Sequence, residues 1–115
     1  MNIPSALTPA IINQLAEKEG VSPDILQKGI EDGKHVILIN PLHKNVKPVA
    51  VGEGLRVKIN ANIGVSPACS SLEQELEKVR LCERYDVDCI MDLSLGENSQ
   101  LLRQQIIAAS TMPVG

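Results

Sequence analysis

From Leu55 to Gly115 the chain runs strand pattern, helix pattern, strand pattern, helix pattern, and that rhythm leaves few folds open. Strands that alternate with helices pair in parallel through right-handed crossovers. The first strand is expected over 55–63, where Val57, Ile59, Ala61 and Ile63 alternate with Lys58, Asn60 and Asn62. Gly64 ends it, and Ser66, Pro67, Ser70 and Ser71 make a polar turn. Ser70 and Glu73 stand at capping-box spacing, so a helix is predicted from Leu72 to about Tyr85. Its inner face would carry Leu72, Leu76, Val79 and Cys82. The short apolar run Cys89–Leu93 reads as a buried parallel strand. A further helix over 99–109 would turn Leu102, Ile106 and Ala109 inward, and Thr111–Gly115 has the look of a strand entrance.

Ahead of this unit the pattern is different. Met1–Leu7 reads as a loose arm. Thr8-Pro9 and Ser22-Pro23 each pair an N-cap residue with a proline at the first helical position. Two short helices should follow, one stopped by Gly20 and one by Gly33, with stripes Ile11, Ile12, Leu15 and Ile25, Leu26, Ile30. His35–Asn40 reads as a strand. Pro41–Gly54 reads as an ordered loop with a possible strand at Val49–Val51, and its His43, Lys44 and Lys47 as a solvated basic face. The fold class is therefore α/β: an N-terminal helical hairpin subdomain over 1–54, followed by a partial β/α unit over 55–115.

Composition excludes several functions. The chain has 115 residues and one aromatic, Tyr85, so its core must be aliphatic and it has no platform for stacking bases. Net charge is −3 with no basic run, which argues against a nucleic-acid partner. Three cysteines, Cys69, Cys82 and Cys89, form no C-x-x-C, so neither a disulfide framework nor a metal site is suggested. They read as buried thiols in a reducing compartment. His35 and His43 stand alone, without metal-ligand spacing, and read as surface or loop histidines. No basic leader or long apolar segment is evident, so the expectation is a cytoplasmic protein with no membrane partner.

In parallel β/α folds, ligands bind at the carboxyl ends of strands. Those ends are Asn62-Ile63-Gly64 and Met91-Asp92-Leu93-Ser94, and polar residues gather at both. Two asparagines on one face of an otherwise apolar strand are either pins for neighbouring loops or ligand contacts, since a buried amide without a partner loses roughly 1–3 kcal/mol.

At these ends the sequence resembles the phosphomethylpyrimidine synthases of thiamine biosynthesis, the ThiC family. The matching stretches are Val57–Gly64, Ser70-Ser71-Leu72-Glu73, Met91-Asp92-Leu93-Ser94 with Gly96, and Pro113-Val114-Gly115. Gly20-Val21-Ser22 and Gly52-Glu53-Gly54-Leu55 resemble that family's N-terminal region. The resemblance implies a (β/α)8 barrel behind a small N-terminal domain, of which residues 55–115 would be about a quarter. It implies a radical S-adenosylmethionine lyase that rearranges aminoimidazole ribonucleotide into hydroxymethylpyrimidine phosphate. It implies substrate contacts at Asn62, a hydrogen-bonding amide, and Met91, an apolar polarisable wall. Asn60, Asp92 and Ser94 would support them, and no residue here would be catalytic. The 4Fe–4S cluster and a further metal ion would be held by residues beyond Gly115, and Cys69, Cys82 and Cys89 have the wrong spacing to replace those ligands. The expectation is therefore a portion of such an enzyme, inactive alone.

Three alternatives stand beside that reading: a portion of the related 5-hydroxybenzimidazole synthase, an isolated binder of an aminoimidazole ribonucleotide-like molecule, and a non-catalytic assembly module. A quarter barrel leaves strand edges and apolar surface open, so a homo-oligomer, or association with the remainder of a barrel, is expected.

Overall fold

The computed structural model describes residues 7–68 and 70–115. Cys69 and the arm expected at the N-terminus, apart from Leu7, lie outside the described residues. The elements in chain order are α1 (Pro9–Glu19), α2 (Pro23–Glu31), β1 (His35–Leu38), β2 (Val49–Gly52), β3 (Asn60–Ile63), α3 (Leu72–Arg84), β4 (Cys89–Asp92) and α4 (Ser99–Ala109). They form two units. One runs to Pro41 and resumes over Pro48–Val57; the other joins Leu42–Lys47 to Lys58–Gly115.

In the first unit the helix signals act as the sequence suggests. The hydroxyls of Thr8 and Ser22 accept the amides of Ile11 and Ile25, each at 3.3 Å, and each cap is followed by proline. Gly20 takes a left-handed conformation, φ 70°, and its amide closes the last turn of α1. α1 and α2 pack together and against an antiparallel ribbon of β1 and β2, in which Val36 opposes Val51 and Leu38 opposes Val49. The core is aliphatic: Ile12, Leu15, Ala16, Leu26 and Ala50, with Ile11, Val21, Ile30, Ile37 and Leu55 against it. Ile25, expected on the buried stripe, is exposed instead. Buried Gly29 stands on the inner face of α2, where it admits the ring of His35.

His35 is thus not a surface histidine. It is 6% exposed, with Nε2 2.9 Å from the Glu53 carbonyl and Nδ1 3.3 Å from the Leu26 carbonyl. A Cβ on Gly29 would fall 1.9 Å from this ring, and one on Gly52 2.5 Å from it. The two glycines make the slot that the imidazole fills.

In the second unit β3 and β4 pair in parallel, as the rhythm predicts, with Asn60 opposite Cys89, Ala61 opposite Ile90, Asn62 opposite Met91 and Ile63 opposite Asp92. Val114 bridges Ile90 in parallel on the other side of β4. No closed barrel is formed by the described residues. α3 and α4 cover one face of the sheet over Ile63, Val79, Ile90, Ile106 and Met112. The first strand is shorter than expected. Asp88 accepts the Ile59 amide at 2.9 Å, the Ile59 carbonyl accepts the amides of Asp88 and Cys89, and the ladder starts only at Asn60. Val57 and Ile59 are exposed.

The cap of α3 also differs. Ser71, one residue on from Ser70, accepts the Gln74 amide, so the expected Ser70–Glu73 box does not form. Ala109 is exposed, whereas Ile106 is fully buried. His43 is buried rather than solvated, its Nε2 2.6 Å from the Ser110 carbonyl, while Lys44 and Lys47 are exposed. The Lys47 amide donates to the Thr111 carbonyl, which fastens the 42–47 segment to the second unit at a second point.

Candidate site at the carboxyl ends of β3 and β4

Side chains alternate across a strand, so Ala61, Ile63 and Ile90 face the helices while Asn60, Asn62 and Met91 face the other way. The in-register pair Asn62–Met91 places an amide and a thioether next to each other on the face the helices leave open. Asn60 and Asn62 are both exposed, so neither is the buried amide that would require a protein partner. Met91 is 36% exposed. Its thioether lies across Gly115, where an added Cβ would stand 3.3 Å from Cε and 3.4 Å from Sδ.

Asp92 and Ser94 do not share that open face. Asp92 is buried towards α4, where Arg103 Nε donates to Oδ2 at 3.0 Å. Its Oδ1 accepts both the amide of Ser94, at 3.0 Å, and the hydroxyl of Ser94, at 2.6 Å. The Ser94 oxygen in turn accepts the Val65 amide at 3.0 Å. The two residues hold the loops behind the site together.

Two groups that sequence reasoning did not single out complete this scaffold: Arg103 and Glu75. The Glu75 side chain is fully buried on α3. Its Oε2 accepts the Gly64 amide at 2.7 Å, and its Oε1 accepts the Ser70 hydroxyl at 2.9 Å and Lys78 Nζ at 2.6 Å. Burial opposes its ionisation, but the hydrogen bonds from Lys78, Ser70 and Gly64 and the Lys78 charge outweigh that and hold the carboxyl below the ordinary range. A signal was present in the sequence. Glu75 lies three residues after Leu72 and four before Val79, on the helix's apolar stripe, where a solvated glutamate does not belong.

Gly64 is where the two strand tips meet. Its φ is 150°, and a Cβ there would lie 2.7 Å from both the Leu93 carbonyl carbon and the Ser94 nitrogen. The Leu93 amide donates to the Ile63 carbonyl and the Leu95 amide to the Val65 carbonyl, each at 2.8 Å. Elsewhere in this unit a cleft of about 300 Å³ is lined by Leu42, His43, Lys44, Asn45, Gln104, Ile107 and Ala108, none of which belongs to the strand tips.

The fold and this geometry define an α/β protein with a polar and thioether face at the carboxyl ends of parallel strands. Residues 4–115 match the radical SAM ThiC family, and the chain belongs to that family. It is 50% identical over 100 residues to the phosphomethylpyrimidine synthase of Syntrophus aciditrophicus, a match covering 87% of this chain and 23% of that protein. It is 46% identical over 101 residues to that of Pyrococcus abyssi, covering 88% and 24%, and 42% identical over 104 residues to that of Desulforamulus reducens, covering 90% and 24%. The chain thus spans about a quarter of the length of these curated relatives.

The family's description implies S-adenosylmethionine and an iron–sulfur cluster. The described residues do not fit a cluster: no group of three or more His, Cys, Asp or Glu among them could hold a metal ion. Cys82, on α3, has its thiol pushed up by burial and by the Glu83 charge, which disfavours the thiolate that iron requires. Among the described residues no helix is long and apolar enough to cross a membrane.

Proposed function

We propose that this chain supplies one wall of the substrate pocket in a phosphomethylpyrimidine synthase-type enzyme of thiamine biosynthesis. The substrate on this reading is aminoimidazole ribonucleotide. The Asn62 amide donates to or accepts from its polar edge, and Met91 makes a polarisable apolar contact beside it. One observation carries the reading: the register that sets Asn62 against Met91 at the carboxyl ends of parallel strands, on the face that α3 and α4 do not cover. Asn60, one pleat upstream on the same face, extends the polar strip.

Titration calorimetry with aminoimidazole ribonucleotide tests it. Asn62→Ala should weaken binding about tenfold, the loss of one hydrogen bond of about 1.4 kcal/mol. Met91→Ala should weaken it by a comparable factor through lost contact area. No heat at millimolar ligand, or unchanged binding in both variants, ends the reading.

A second reading is association between copies through the same open face. It is favoured by Leu93 at 54% and Leu95 at 67% exposure, which continue the alternation of Met91 and have no cover among the described residues of this unit. Light scattering reads it directly, and a monomer at high concentration rules it out.

A further inference from the structure

We infer that Glu75 is a positioning residue: by holding the Gly64 amide it sets the tip of β3 and therefore the direction in which Asn62 points. Its functional consequence rests on the reading of Asn62 as a ligand contact. Nothing in that reading requires Glu75, which reaches the strand from the helix side and touches no group on the open face.

Three observations lead here. First, a fully buried carboxylate is a poor choice for stability alone. Replacing a buried ion pair by apolar side chains of similar volume is often neutral or stabilising, and a leucine at position 75 would complete the stripe of Leu72, Val79 and Cys82. Second, among the described residues β3 pairs with β4 alone. Its ladder ends at Ile63, one residue past Asn62. The first amide beyond the ladder belongs to Gly64, and Glu75 is its acceptor at 2.7 Å. The second belongs to Val65, and Ser94, itself held by Asp92, is its acceptor at 3.0 Å. The β3 tip is thus tied to β4 along one edge and to α3 through Glu75.

Third, the arm is reinforced. Ser70 and Lys78 both converge on Oε1, which leaves Oε2 aimed at Gly64. The Lys78 side chain is 46% exposed, so its charge neutralises the carboxylate from outside while the carboxylate remains dry. Arg103, 42% exposed, does the same for Asp92. Two consecutive amides at the strand exit are therefore held by two buried carboxylates, one directly and one through a serine. A carboxylate–amide bond is short, directional and about twice as strong as a neutral one, which suits a part that fixes geometry.

The test compares Glu75→Gln and Glu75→Asp with the parent protein. Glutamine removes the charge at constant shape, and aspartate keeps the charge but withdraws it by roughly one bond length, about 1.5 Å. Either variant that folds suffices, and Glu77→Gln on the exposed face of the same helix is the control. Amide resonances are read first. The Gly64 backbone signal and the Asn62 side-chain signals should move together in both variants, while Ile106 in α4 stays put. If Gly64 and Asn62 signals in a folded variant coincide with the parent's, the inference is wrong.

Affinity for aminoimidazole ribonucleotide is read second, with Asn62→Ala in parallel. The Glu75 variants should lose roughly tenfold, the value of one misaligned hydrogen bond. If Asn62→Ala loses binding and the Glu75 variants do not, positioning by Glu75 is overturned while the substrate reading stands. If Asn62→Ala binds like the parent, the substrate reading falls, and the resonances alone decide whether Glu75 sets the β3 tip.

Discussion

Replacing Gly64 by alanine should pull the two strand tips apart, and the size of the effect can be built from the local geometry. The new Cβ would stand 2.7 Å from two backbone atoms, the Leu93 carbonyl carbon and the Ser94 nitrogen. Backbone cannot swing aside as a flexible side chain would. At φ 150° an L-residue is also strained, by about 1–3 kcal/mol. Relief of the clash moves Leu93 and Ser94 away from β3. That stretches the Leu93–Ile63 bond at 2.8 Å and the Val65–Ser94 bond at 3.0 Å, each contributing about 1 kcal/mol. The total loss is expected at about 3–5 kcal/mol, the sum of these terms. Urea unfolding followed by circular dichroism measures it, and an unchanged slope against urea shows that the native state is still compact. The matching substitution at Gly33, where an added Cβ meets nothing within 4 Å, separates strain from collision, because that site has a positive φ of 70° without the contact. A Gly64→Ala loss no larger than the Gly33→Ala loss would refute the argument from close approach.

Two further outcomes follow from buried polar groups. His35→Ala should destabilise the protein by about 2–4 kcal/mol, because it empties the slot between Gly29 and Gly52 and strips the Glu53 carbonyl of its donor; thermal unfolding reads this, and a loss below about 0.5 kcal/mol, within surface-substitution range, would contradict the packing described. Glu75 gives a pH dependence of definite sign. Its folded carboxyl ionises below the ordinary value of 4.5, so the unfolded chain takes up the proton first. The stabilisation is fully present above about pH 4.5 and is lost as pH falls through the lower folded value. The difference in urea midpoint between the parent and Glu75→Gln should shrink below pH 4.5, and a difference that stays constant down to pH 3 would sink the assignment.

The sequence was most legible where local chemistry decides structure. Thr8-Pro9, Ser22-Pro23 and Gly20 mark helix ends through contacts within four residues, and each acts as expected. The parallel pairing of β3 with β4 follows from the rhythm, whereas Asn62 and Met91 were singled out by the family resemblance and are set opposite each other by the observed register. What was illegible depends on partners distant in sequence. Ile59 alternates perfectly with its neighbours, yet the ladder begins one residue later because Asp88, 29 residues on, takes the Ile59 amide. His43 stands among lysines like any solvated residue and is buried because Ser110, 67 residues away, offers a carbonyl. Ile25 carries the apolar period but is exposed, while Gly29 on the same helix lies against the His35 ring, which sits nine residues beyond Leu26, whose carbonyl it faces.

The polar residues of the second unit divide by face, and the division has a cause. A ladder satisfies backbone amides only while two strands run together, and at the strand exits the next amides must find other acceptors or remain costly orphans. For Gly64 and Val65 those acceptors come from the helix side, where Glu75 lies on α3 and Asp92 holds Ser94. Once they hold Gly64 and Val65, those two amides need no side chain of the opposite face. No side-chain hydrogen bond holds Asn60 or Asn62 among the described residues. Asn60, Asn62 and Met91 are left to whatever approaches the open side. A single strand thereby keeps rigid backbone and available side chains within two residues of each other. Gly64 is the pivot of that arrangement, since any larger residue would separate the tips that the carboxylates draw together.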